Sequence, residues 1–284
     1  MACTRASFQD IVERVHTIPS LPEVVTQVVR MVNDPKSDGG TIGELMSKDA
    51  AMAAKILRLV NSVYFSLPDP VHSLGQAIMI LGFKTVRSVA LSISVINLFQ
   101  QENIGFNMKS FWMHGCVSAC ICRLVAEKIG NVDADLAFII GLLKDIGLVV
   151  MVEYAPEETR AVIAVAREHR ISLQEAARKV IDTNHAEVGA WLCRQWGLEE
   201  EVIQTVDHQF DVAAAPHQRL VAIAQFSEYL CSLKRIRIAG DCGEPQLDQE
   251  VWKHLGLDKT DLVGVLAVIN DEVDRAKELL ALAS

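Results

Sequence analysis

Hydrophobic residues recur at helical spacing along most of the chain. After SLPE at 20–23, valines stand at positions 24, 25, 28, 29 and 32, which places them on one side of a helix. Asp49 precedes a second such face, which comprises Met52, Ile56, Leu59 and Val60. Serine and aspartate are preferred N-cap residues, so Ser20 and Asp49 are each expected to begin a helix.

Two further segments extend the helical pattern. SLGQAIMILG at 73–82 begins with a serine cap and ends on glycine, a residue common just after helix C-termini. FKTVRSVALSISVINLF at 83–99 is apolar on almost every side, which is typical of a helix in the core. The β-branched runs are too short for strands and lack turn-flanked alternation. The predicted fold class is therefore all-α, a multi-helix bundle with no significant sheet.

The distribution of candidate chemical residues changes near residue 105, and this change marks a predicted boundary in the chain. The polar segment QQENIGFN at 100–107 follows the long apolar helix, and candidate chemical residues concentrate after it. The prediction is an N-terminal helical lobe over 1–105, a second helical lobe over 106–231 and a C-terminal helical extension over 232–284. The extension ends in an amphipathic segment at 261–281, which suits either completion of the domain or an oligomerisation surface.

Composition and charge exclude several classes of protein. The 284 residues are 50% hydrophobic, enough for a sizeable core, and the net charge of −9 argues against nucleic acid or an anionic membrane as a partner. The basic cluster KRIR at 234–237 is interpreted as a solvated helix end. The two helical segments within 73–99 resemble a DNA-binding helix–turn–helix, but they are interpreted as a structural bend. No N-terminal signal region and no uncharged run of eighteen apolar residues is found, so a cytoplasmic location is expected.

The cysteines do not form a recognisable metal or disulfide motif. There are seven, and none forms a C-x-x-C pair. Cys116 and Cys120 would share a helix face, but in a reducing compartment they are best explained as small apolar core residues.

The segment GLLKDIGLVV at 141–150 is unusual because Lys144 and Asp145 interrupt an apolar helical pattern. Burying two charges is costly unless both find partners. Two interpretations are open. Lys144 either extends to solvent from the helix edge, or it is buried with partners from elsewhere in the chain.

Residues typical of metal-dependent phosphohydrolases occur in the second half of the chain. Such enzymes bring imidazole and carboxylate ligands together so that a divalent cation can be held while water attacks phosphorus. The candidates here follow the order His114, Lys144, Asp145, His185, Asp207, His208 and Glu228. This order resembles that of the HD superfamily, whose signature is an adjacent His-Asp pair.

Six segments resemble one branch of that superfamily, the HDOD domain. They are IPSLPEVVTQVVRMVNDP at 18–35, LMSKDAAMAAKILRLVNSVYF at 45–65, VHSLGQAIMILGFKTVRSVAL at 71–91, FWMHGCVSA at 111–119, GLLKDIGLVVM at 141–151 and NHAEVGAWLCRQWGL at 184–198. The resemblance covers about residues 10–230. It implies an HD-like all-helical bacterial domain associated with signalling and regulation, often without demonstrated catalysis.

The resemblance carries over to individual residues with one important departure. His114 matches the first histidine of the HD series and Asp145 matches its aspartate, but Lys144 stands where the motif has histidine. His185 matches a further histidine of binuclear members. The remaining positions are similar to later members of the series, where Asp207 and His208 fall at a histidine pair and Glu228 falls near the terminal aspartate.

A lysine in place of the motif histidine disfavours metal binding. A lysine ligand must be neutral, and deprotonation at pH 7 from a pKa near 10.4 costs roughly 4–5 kcal/mol. Protonated, it repels the cation. The hypothesis is that the Lys144 ammonium replaces the ion, pairs with Glu228 and hydrogen-bonds His114. No cofactor is expected. If a divalent metal binds, its predicted ligands are His114, Asp145, His185 and His208.

Each histidine also has a local structural role open to it. His114 suits a hydrogen-bonded core position, and His185 lies at a helix start that Asn184 can cap. His208 lies near a helix end, where a cation is favourable.

Three functions are compatible with these features. The leading prediction is a non-catalytic signalling domain that binds a protein partner or small ligand, and an oligomer is compatible with it. By the resemblance, its partners would be kinases, response regulators or cyclic-dinucleotide enzymes acting in trans. The alternative is a metal-dependent phosphodiesterase or phosphohydrolase with a rearranged ligand set. A nucleic-acid-binding regulator is the weakest because of the acidic charge.

Overall fold

The structure is a computed structural model that describes residues 6–32, 39–99, 106–238 and 247–283. Helices account for most of these residues. They are α1 Phe8–Glu13, α2 Glu23–Val32, α3 Gly39–Ser47, α4 Ala50–Val60, α5 Leu74–Leu81, α6 Phe83–Leu98, α7 Met108–Ile129, α8 Ala134–Leu143, α9 Ile146–Tyr154, α10 Pro156–His169, α11 Leu173–Val180, α12 His185–Gln195, α13 Glu200–Asp207, α14 Gln218–Leu233, α15 Gln249–Leu255 and α16 Lys259–Ala283.

The all-α prediction is confirmed. Within the described ranges no β-strand forms, and an isolated parallel bridge joins Ser7 to Asp182. No helix in the described part of the chain is both long and apolar enough to cross a bilayer.

Helix α4 and the α5–α6 pair form as their sequence signals predict. Asp49 accepts a hydrogen bond from the Met52 backbone N–H at the start of α4, and Ser73 caps α5 through the Gln76 N–H. Gly82 separates α5 from α6 with φ +82°, a conformation that favours glycine. The continuous stretch of α6 from 86 to 96 is buried, as its all-round apolar sequence predicts.

The predicted start of α2 was wrong. The helix begins at Glu23, three residues after Ser20, and its first backbone bond runs from the Thr26 N–H to the Pro22 carbonyl. The residue before a proline is disfavoured in the helical region. Leu21 therefore stays outside the helix, and Ser20 is too far away to cap it.

A close crossing of α7 and α8 brings together two segments that carry candidate site residues. A Cβ at Gly141 would lie 2.6 Å from the Ser118 carbonyl oxygen and 2.7 Å from the Ala119 Cα. At Gly115 it would lie 3.3 Å from the Leu142 carbonyl oxygen. Glycine at 141 thus lets the two backbones approach, which places His114 near the end of α8.

A second close crossing fixes α9 against α12. A Cβ added to Gly147 would lie 2.0 Å from the carbonyl oxygen of His185 and 2.4 Å from the Gly189 backbone nitrogen. Only a residue without a side chain fits here. The contact holds the first turn of α12, which carries His185, beside the first turn of α9, which follows Asp145.

The C-terminal helix contacts both halves of the chain. α16 packs against α7, α6 and α4. Lys55 Nζ donates to the Ala283 carbonyl at 2.8 Å, and Lys128 Nζ lies 2.9 Å from Asp261 Oδ1. The predicted amphipathic helix at 261–281 therefore covers helices of both predicted lobes. The division at 105 and 231 stays a prediction, and residue 105 itself lies outside the described residues.

Five cysteines are buried and free of disulfides in the described chain, namely Cys116, Cys120, Cys122, Cys193 and Cys231. Burial raises the pKa of the Cys120 thiol to about 12. Cys116 and Cys120 are core residues, as predicted. Cys3 and Cys242 lie outside the described residues.

Replacing Gly147 with alanine should destabilise the protein by at least about 2 kcal/mol, because the new methyl group would force the α9 and α12 backbones apart. Gly75→Ala is the matched control. It lies in α5, where a Cβ meets nothing within 4 Å, and should change stability by no more than about 1 kcal/mol, in the stabilising direction. Urea unfolding of both variants measures the difference, and equal midpoints would contradict the account of the crossing.

Candidate functional site

Lys144 and Asp145 lie at the junction of α8 and α9, inside the protein. Lys144 follows the last residue of α8, and Asp145 precedes the first residue of α9. The Lys144 side chain is 3% exposed, so the interpretation that it extends to solvent was wrong. Asp145 makes no side-chain capping bond to α9, and its carboxylate turns to other partners.

The Lys144 ammonium is surrounded by three polar side chains from three parts of the sequence. It donates to Asp145 Oδ2 and to Glu228 Oε2, the latter at 2.6 Å, and it lies 3.3 Å from His114 Nε2. Glu228 comes from α14 and His114 from α7. The amine is therefore the point at which α7, α8 and α14 meet through polar groups.

His114 is oriented by a backbone carbonyl. Its Nδ1 lies 3.0 Å from the Ile236 carbonyl oxygen, which can only accept, so Nδ1 carries a proton. This leaves Nε2 facing the cluster, 2.9 Å from Glu228 Oε2 and 3.5 Å from Asp145 Oδ2. The Ile236 carbonyl is placed by the turn after α14, where Arg235 has φ +57° and the Ile236 N–H bonds back to the Cys231 carbonyl.

His185 contacts the second oxygen of Asp145. Its Nε2 lies 3.3 Å from Asp145 Oδ1, and its ring meets the Phe210 ring edge-on with centroids 5.3 Å apart. His185 is the first residue of α12, and the Asn184 side chain caps that helix as predicted. Asp145 is thereby held from both sides, by His185 through one oxygen and by Lys144 through the other.

Asp207 and His208 are not brought into this cluster. His208 Nδ1 lies 3.0 Å from the Gln204 carbonyl of its own helix, and no hydrogen bond or ion pair in the described chain joins Asp207 or His208 to Asp145 or His114. α13 ends at Asp207, and the residue that turns inward after it is Gln209. The structure thus supplies no histidine pair at this position.

Gln209 contacts the backbone of Lys144, which the sequence did not predict. Its Nε2 donates to the Lys144 carbonyl at 2.5 Å and to the Val206 carbonyl at 3.2 Å. Gln225 Nε2 in turn donates to the Gln209 carbonyl at 2.9 Å. These bonds tie the α8–α9 junction to the segment after α13. Glutamine side chains that donate to main-chain carbonyls occur at no characteristic spacing in a sequence. This contact therefore could not be predicted from the sequence.

The opposite charges in the cluster support one another. Burial alone would lower the pKa of Lys144, but the charges of Asp145 and Glu228 outweigh burial and raise it above its ordinary value. Burial would raise the pKa of Asp145, yet the Lys144 charge and hydrogen bonds from His114 and His185 hold it well below its usual range. Both groups are therefore charged at neutral pH.

Glu228 and His114 form the other half of this charge balance. Burial would raise the pKa of Glu228, but the charges of Lys144 and His114 lower it to about 2. Burial would lower the pKa of His114, but the Glu228 charge raises it to about 9. At neutral pH an ammonium and an imidazolium thus face two carboxylates, and the four charges sum to zero.

The residues do not fit a metal ion as they stand. His114, Asp145 and Glu228 each offer a ligand atom, and the three atoms lie within 4.8 Å of one another. The Lys144 amine contacts all three of these atoms, so a cation between them would meet a buried positive charge at the same point. Neither His185 nor His208 joins this group of ligand atoms.

Proteins similar to this chain are known both by sequence and by structure. An uncharacterized protein of Treponema pallidum (strain Nichols) is 26% identical over 210 residues, covering 73% of this chain and 40% of that protein. The chain therefore spans less than half the length of that relative. An HDOD domain protein with unknown function from Geobacter sulfurreducens has a crystal structure with TM-score 0.83 and 24% identity, covering 95% of this chain and 96% of that chain.

A protein from Shewanella amazonensis SB2B, proposed to be a phosphohydrolase, has a crystal structure with TM-score 0.75. Its identity is 22%, and the similarity covers 96% of this chain and 98% of that chain. At such identities the two crystal structures show the shared fold. The HDOD family model matches residues 18–212, which is most of this sequence. The chain therefore belongs to the HDOD domain family.

Proposed function

We propose that this protein is a non-catalytic signalling domain that acts by binding another molecule. Its partners would be regulatory proteins such as kinases, response regulators or cyclic-dinucleotide enzymes, which the HDOD resemblance implies. These partners are proposed to act in trans.

The observation that carries the proposal is the position of the Lys144 ammonium. A hydrolytic metal centre needs an ion with an open position for water. Here Lys144 Nζ lies among the three atoms that would bind the ion, and its pKa is raised, so it stays charged at neutral pH. A residue that neutralises the ligands without carrying water preserves the packing of the cluster but removes the means of hydrolysis.

A metal-dependent phosphohydrolase is the second candidate function. The Shewanella amazonensis protein is proposed to be a phosphohydrolase, and His114, Asp145 and Glu228 are residue types that bind divalent cations. For this candidate to hold, Lys144 must leave the cluster or lose its proton. Either change would leave the carboxylates of Asp145 and Glu228 without the ammonium that neutralises them. We therefore place this function second.

Metal content separates the two functions. The untagged wild-type protein, incubated with Mn²⁺, Fe²⁺ or Ni²⁺ and then desalted, should retain well below one ion per chain by elemental analysis. It should also show no hydrolysis of phosphodiester or nucleotide substrates above the rate of a heat-inactivated sample. A stoichiometric ion that disappears in Asp145→Asn, together with hydrolysis, would establish the second candidate instead.

The charge balance predicts a specific dependence of stability on pH. The pKa of His114 is about 9 in the folded protein, above the value near 6.5 of an unfolded chain. The contribution of the His114 charge to the free energy of unfolding is therefore fully present below pH 6.5 and is lost as pH rises through 9. Between these limits the wild type should lose up to about 3 kcal/mol of unfolding free energy that His114→Gln does not lose.

Urea unfolding at pH 6, 7, 8 and 9.5 measures this difference. His169→Gln is the control, because this exposed histidine lies at the end of α10 and has no part in the cluster. It should keep the wild-type dependence. Parallel pH profiles for the wild type and His114→Gln would show that His114 is not a charged member of the cluster.

A further inference from the structure

Two pairs among the three ligand-type atoms around the Lys144 amine are spaced as a divalent ion would hold them. Two ligand atoms bound to one ion at about 2.1 Å lie roughly 3.0–3.5 Å apart in octahedral or tetrahedral geometry. His114 Nε2 is 2.9 Å from Glu228 Oε2 and 3.5 Å from Asp145 Oδ2. Two of the three ligand pairs thus have the spacing of a metal site, and a bound ion would replace both the Lys144 ammonium and the Nε2 proton of His114.

The contacts behind these atoms also match those of a metal site. Histidine ligands commonly donate their other ring N–H to a carbonyl or carboxylate, and ligand carboxylates are held by further hydrogen bonds. His114 donates from Nδ1 to the Ile236 carbonyl, and His185 Nε2 lies against Asp145 Oδ1. None of these outer contacts involves the Lys144 side chain, so they can persist when that side chain is shortened.

Lys144 both fills the ion position and supplies its charge. Its side chain is 3% exposed, and its amine reaches Asp145, Glu228 and His114 together. Shortening it would empty the volume of the amine and most of the methylene stem. It would also leave the two carboxylates without the ammonium, a state that favours uptake of another cation.

We infer that Lys144 is the residue that keeps divalent cations out of this cluster, and that shortening it turns His114, Asp145 and Glu228 into a site for Zn²⁺ or Mn²⁺. This inference rests on the proposed function, in which the ammonium stands in place of the ion. It adds that the rest of the site remains competent to bind one. Imidazole and carboxylate ligands suit both ions.

The test compares Lys144→Ala with the wild type in EDTA, Zn²⁺ and Mn²⁺. Elemental analysis of the desalted variant should give about one ion per chain for at least one of the two metals. Its melting temperature should be below that of the wild type in EDTA and should rise by about 5 °C or more at metal concentrations near 100-fold above Kd. The wild type should change by less than about 1 °C under the same conditions.

Two controls separate a specific site from adventitious binding. Lys144→Arg keeps a cation at the same position and should take up no ion. Lys144→Ala combined with Glu228→Gln removes one ligand charge and should weaken metal binding at least about 10-fold relative to Lys144→Ala alone. Equal uptake by the single and double variants would place the metal elsewhere and overturn the inference.

The remaining outcomes distinguish the inference from the proposed function. The inference is overturned if Lys144→Ala binds no metal and its melting temperature does not change when Zn²⁺ or Mn²⁺ is added. A wild type that binds no metal leaves the proposed function standing. A stoichiometric ion that the wild type retains and Asp145→Asn loses overturns the inference, and the proposed function is overturned with it only if hydrolysis is also measured. If Lys144→Ala folds only with metal, the inference is supported. If both Lys144→Ala and Lys144→His fail to fold even with Zn²⁺ or Mn²⁺ present, it is overturned.

Discussion

The buried ammonium of Lys144 is the interaction on which the centre of this structure depends. It joins the α8–α9 junction to α14 through Glu228 and lies against His114 of α7. Breaking a buried ion pair on one side leaves an uncompensated charge, which typically costs about 3–5 kcal/mol. Because each partner comes from a different helix, the requirement to satisfy one amine fixes how these helices sit against each other.

Close backbone packing makes this arrangement accessible. Gly141 lets α8 lie against Ser118 and Ala119, and Gly147 lets α9 lie against the first turn of α12. The polar side chains project from the ends of these crossings, at positions 144 and 145 and at 185. The glycines therefore set the distance between helices, and the charges set which polar groups face one another across it.

Local signals predicted helices well and tertiary partners less completely. Asp49 and Ser73 cap their helices because a cap needs only the following backbone N–H groups, which the sequence itself supplies. The prediction that Ser20 caps α2 was wrong because Pro22 kept Leu21 out of the helix. The family order indicated His114, Asp145, His185 and Glu228, but Asp207 and His208 lie outside the cluster. Gln209 could not be found from sequence because its partner is a main-chain carbonyl in a distant segment.

The similarity of fold does not carry a reaction to this protein, because catalysis depends on particular groups in a site. A structure with the same architecture comes from a protein proposed to be a phosphohydrolase, yet at 22% identity the likeness covers the helices rather than the chemistry. In this chain the chemistry depends on residue 144. A neutral imidazole there could bind an ion that activates water, whereas the charged amine of Lys144 pairs with the carboxylates directly. Under the proposed function, Lys144 thus supplies the structural role of a central cation without its catalytic role.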